Sequence, residues 1–136
     1  MFKNETASSS DGVILFGNKA LKFLTAVLCG AAVCVILSMI FALIMTLSVI
    51  PDGMVTVFSM IAAAGGAFAC GAVAVLRIGS GGLVNGLISG ILFFVVHMLL
   101  TAVFGGAFTA SAFVFAAVDI VVSAVGGIAA INIKVS

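Results

Sequence analysis

The sequence predicts an all-α protein, an integral membrane four-helix bundle with short loops and both termini cytoplasmic. Three observations predict it. Hydrophobic residues make up 65% of the 136 and charged residues only 7%, whereas a water-soluble domain needs about 25% charge to cover its surface. Four apolar runs follow one another, each of the order of the 20 residues that cross a hydrocarbon core. The five Lys and Arg side chains all fall on one side of the membrane if there are four spans, and on no other count.

In chain order, residues 1–22 form a polar N-terminal tail, with 13–22 able to make a short interfacial helix. The first span is 23–50. It is far longer than the roughly 7–15-residue core of a cleaved signal peptide, so it must tilt or protrude. Pro51-Asp52-Gly53 is a turn, because proline ends the helix and glycine follows aspartate. The second span, 54–76, has a middle of almost nothing but small residues, among them Gly66 and Gly71, through which two backbones can approach.

Residues 77–81 are a tight basic loop and 82–104 the third span. Gly82, Gly86 and Gly90 recur every fourth residue, so on a helix they share a face, together with Ser89, Phe93 and His97. A neutral loop, 105–111, leads to the fourth span, 112–132, which carries Gly126 and Gly127 near its end. Residues 133–136 are a short C-terminal tail. Lys19, Lys22, Arg77 and Lys134 mark the cytoplasmic edge, while the first and third loops carry no cation.

Several function classes are excluded or left without support. A net charge of +1 offers no basic patch for nucleic acid. The cysteines, Cys29, Cys34 and Cys70, are odd in number and make no C-x-x-C, which argues against a disulfide framework. No metal-ligand cluster is visible, and R-I-G-S-G-G lacks the rest of a phosphate loop. No cofactor or metal is expected, and no enzymatic activity.

Two ionisable residues lie deep in the spans, His97 and Asp119, and such residues are functional candidates by default. Counted from the expected helix ends, each is roughly 10 Å below the outer boundary, so the pair can meet across antiparallel neighbours. Three readings stay open. The pair is a hydrogen-bonded clip fixing helix register, it carries protons or ions, or the two side chains make no contact. Asn85 and Ser89 are candidate polar lining on the way to it.

With these residues in view, the chain resembles the uncharacterised small four-span membrane proteins of Firmicutes, a YrzE-like family whose domain has no known function. The resemblance rests on Arg77, then Gly79, Gly82, Asn85, Gly86, Gly90 and Phe93, and on Gly126, Gly127 and Asn132 in the last span. It covers most of 20–132. It implies a bacterial plasma membrane and a compact bundle, and it implies no activity. Pieces of the third and fourth spans are also similar to small fluoride channels. There the spacing from Arg77 and the degraded run Thr109 to Phe113 argue for convergence of glycine-rich helices.

The functional expectation is a non-enzymatic structural or accessory protein, packing its own helices or docking to a larger membrane complex through small-residue faces. The alternative is a small proton- or ion-linked transporter or channel using His97 and Asp119. The partners expected are the lipid bilayer and either a homo-oligomer or a larger membrane complex.

Overall fold

The computed structural model describes residues 2–105 and 109–136, with side chains from Ile14 onward. It is built of four helices: α1 Phe2–Leu47, α2 Gly53–Ile78, α3 Gly82–Val103 and α4 Ser111–Val135. No strand occurs among the described residues. Each helix is long and apolar enough to cross a membrane.

The first helix corrects two expectations. The N-terminal residues are neither an irregular tail nor a separate interfacial helix, but the start of α1, which runs unbroken through 46 residues. Once a helix is nucleated, each further residue adds a hydrogen bond for one residue fixed. No proline interrupts this stretch. At 1.5 Å per residue α1 is about 69 Å long, more than twice a hydrocarbon core of about 30 Å. Its other end falls short of the expected residue 50. Pro51 disfavours helical backbone at the residue before it, and Ser48 to Ile50 turn instead, with Ile50 N–H donating to the Ser48 carbonyl at 2.9 Å.

The second loop is the tightest. Gly79 ends α2 with φ +86° and its N–H donates to the Val75 carbonyl. Gly81 follows at φ +64°. Both conformations are left-handed, which a side chain disfavours. The Lys134 ammonium lies against Gly79, so the C-terminal end of α4 is level with this loop. Arg77 closes α2 at the same end.

The helix α2 packs on all three others, α1 and α3 touch only slightly, and α1 and α4 do not meet among the described residues. Small residues set these distances. Gly30 of α1 faces Gly66 and Cys70 of α2, while Gly71 of α2 lies on the Ser123 carbonyl of α4 and Gly126 of α4 on the Phe68 carbonyl. Gly127 lies on the Gly82 carbonyl of α3. The core is correspondingly made of small side chains: Ala26, Ala62, Ala63, Ala67, Cys70 and Ala74 are each at most 1% exposed. Large apolar side chains point outward instead, among them Leu28, Met39, Leu43, Leu83, Leu99 and Val121. Small inside and large outside inverts the pattern of a water-soluble bundle. It suits helices that gain nothing from hiding Leu from lipid but gain van der Waals contact from close backbones.

Candidate functional site

The polar interior begins with a knot of two serines. Gly86 and Gly90 hold α3 against α4 so closely that the Ser123 carbonyl and Cβ fill the space where glycine side chains would be. Ser89, on the same face, thereby meets Ser123. Both hydroxyls reach the Gly86 carbonyl at 2.8 Å and lie 3.1 Å from each other. Two protons are therefore shared among three oxygens, all buried. The Cys70 thiol of α2 donates to the Ser89 carbonyl at 3.6 Å.

Each member of this knot is satisfied, and interhelical hydrogen bonds in membranes average about 0.6 kcal/mol. Ser89→Ala and Ser123→Ala will each lower bundle stability by about that amount. The double variant will lose less than the sum of the singles, because their mutual contact is counted in both. Unfolding titrations of the three variants check this.

One turn from Ser123 along α4 stands Asp119. It is 1% exposed, and neither carboxylate oxygen has a hydrogen-bond partner. Its backbone is level with Gly90 of α3. Cys34 of α1 lies within its electrostatic range. An ionised carboxylate left bare in such surroundings costs several kcal/mol.

The expected clip between His97 and Asp119 is not formed: no hydrogen bond or ion pair joins them. The reason is register. Counting from helix ends put the two side chains at one depth. The glycines instead fix Gly90 level with Asp119 and Ile120. His97 is seven residues further along α3, which is roughly 10 Å toward the third loop. It is half-buried, and its ring centroid is 6.3 Å from that of Phe93.

The other expected residues divide clearly. Ser89 belongs to the buried knot. Asn85 does not line a path; its amide donates to the Ser80 carbonyl at 2.5 Å and ties down the second loop. Gly66, Gly71, Gly82, Gly86, Gly90, Gly126 and Gly127 all face atoms of neighbouring helices. Lys19, Arg77 and Lys134 are exposed and Lys22 partly so. No group of three or more His, Cys, Asp or Glu side chains comes together among the described residues. The spacing from Asp119 puts Ser123 on the same small-residue face of the fourth span, but its bond to Ser89 and that of the Cys70 thiol to the Ser89 carbonyl come from packing between helices and carry no signal in the sequence.

Comparison with protein families matches residues 19–130 to one described as a protein of unknown function, DUF3792. Comparisons with curated proteins and with solved structures give no significant match.

Proposed function

We infer a function from the site itself, because the chain belongs to the DUF3792 family, whose function is unknown: Asp119 is a proton-binding group of a small, non-enzymatic, proton-handling protein of the bacterial plasma membrane. The observation that carries this reading is a carboxyl buried to 1% exposure with both oxygens unpartnered. An intramembrane carboxyl kept for stability would be paired, as Ser89 and Ser123 are. One left bare costs stability, and a side chain that costs stability is retained for what it binds.

Docking through small-residue faces has less support. The glycines that would serve as the contact are filled by the chain's own helices. An accessory role keeps one favouring observation, the apolar length of α1, which is far less buried than that of α2 and is open to a partner helix or a second copy.

In this reading both termini and the second loop are cytoplasmic; the support is that Lys19, Lys22, Arg77 and Lys134 belong to the chain ends and the second loop and that cations favour that side. The test of function is proton uptake into proteoliposomes under an imposed membrane potential, read with an internal pH dye. Wild type is expected to carry protons, and Asp119→Asn to carry none above protein-free vesicles. Equal flux in both, or none in wild type, would overturn the reading.

A further inference from the structure

Asp119 is absent from the lining of the main crevices, yet a proton must reach it from water. Two crevices converge above it, near the first and third loops. The more polar one, of about 190 Å³, lies between α2, α3 and α4; Ser59, His97, Thr101, Thr109 and Ser111 line it together with apolar side chains, of which Phe94 and Phe115 stand nearest Asp119 along α3 and α4. The other, of about 400 Å³ and almost wholly apolar, lies between α1 and α3 and shares His97 and Thr101. His97 is thus the one titratable side chain on the wall common to both. Cys34 faces the apolar crevice from α1, and α2 contributes only the Ser59 hydroxyl to the polar one. Below His97, Phe93 is 3% exposed. It sits in the apolar crevice with its ring tip against Gly66, one turn short of the level of Asp119.

We propose that the more polar crevice is a hydrated vestibule and that His97, on its wall, is the relay through which protons from the outer aqueous phase reach Asp119. This rests on the reading of Asp119 given above. A hydronium in the vestibule gives its proton to a free imidazole nitrogen and becomes water. The imidazolium then passes a proton, through water admitted between the Phe94 and Phe115 side chains, to a carboxylate oxygen of Asp119. The imidazole returns to its neutral form and no other reactant is consumed. Along the bundle axis Asp119 thus lies between the Ser89 and Ser123 hydroxyls toward the termini and, toward the loops, the Phe94 and Phe115 side chains of the polar crevice.

Two measurements test this separately. In the first, Ser59→Cys and Ser111→Cys are exposed to a charged, membrane-impermeant thiosulfonate, beside Leu99→Cys on the outward face of α3. Leu99 is 62% exposed, within two residues of Thr101. Wild type supplies the background from the native cysteines. The vestibule positions are expected to react at least about tenfold faster than Leu99→Cys, because the thiolate that reacts needs water. Equal rates would overturn the vestibule.

In the second measurement, His97→Gln is expected to lower proton flux at least tenfold, and His97→Ala to regain flux when imidazole is added to the outer buffer. A packing role for the ring would not yield rescue by a titratable solute. Wild-type flux in His97→Gln would overturn the relay. If wild type itself carries no protons, the Asp119 reading falls and the relay with it, while thiol labelling still decides the vestibule alone.

Discussion

Gly127→Val will cost the bundle at least about 3 kcal/mol, the upper part of the usual range for overpacking a filled interior. The atoms that decide this are mostly backbone. A side chain at Gly127 meets the Gly82 carbonyl directly, the Gly86 Cα at 3.1 Å and the Val75 Cγ2 at 3.0 Å. Only the last can turn away. The substitution therefore wedges α4 off both α2 and α3. Gly71→Val will do the same from the other side, since its side chain would enter the Ser123 carbonyl and hydroxyl and break the serine knot as well. Gly17→Ala is the control, because nothing lies within 4 Å of that position. The readout is Cys70, which is fully buried: with the exposed Cys29 and half-buried Cys34 replaced by serine, its reaction with a thiol-reactive dye during heating reports bundle opening. Gly127→Val and Gly71→Val should expose it many degrees below wild type, and Gly17→Ala should not.

The same contacts explain what could and could not be read in the residues alone. Apolar run lengths, the proline after Ile50 and the glycines around Ser80 locate the helices, because each acts locally. Four helices long and apolar enough to cross a membrane are present, as expected, though the first runs from Phe2 to Leu47 rather than over 23–50. The single helix from Phe2 was not legible, since its polar first turns carry no periodic signal and propagation from the span decides them. The depth of His97 relative to Asp119 was not legible either. Register between two helices is a pairwise property. Here it is set by where Gly82, Gly86 and Gly90 meet α4, not by where each helix ends. Asp119 itself was legible as an intramembrane acid. Its lack of any partner was not, because satisfaction depends on all the helices at once.

That lack of a partner has a consequence opposite in sign to the glycine result. Asp119→Asn will leave the thermal midpoint of the bundle unchanged or raise it, while abolishing proton uptake. The amide is nearly the same size, so no packing is lost. A neutral side chain also removes the cost of ever exposing a bare charge to the interior. Were Asp119 a register clip, the same substitution would lower stability, since breaking a satisfied buried partner is costly. The protein also offers a direct chemical probe. A hydrophobic carbodiimide dissolved in the bilayer reacts with a protonated carboxyl. Asp52 and the N-terminal acids lie outside the expected spans. Expected is a single modification of wild type at Asp119, found by mass spectrometry of the intact chain and its fragments, with flux lost in proportion to the modified fraction. Asp119→Asn should take up no reagent within the spans. Modification that leaves flux intact would separate the carboxyl from transport, and a lowered midpoint in Asp119→Asn would return it to a structural role.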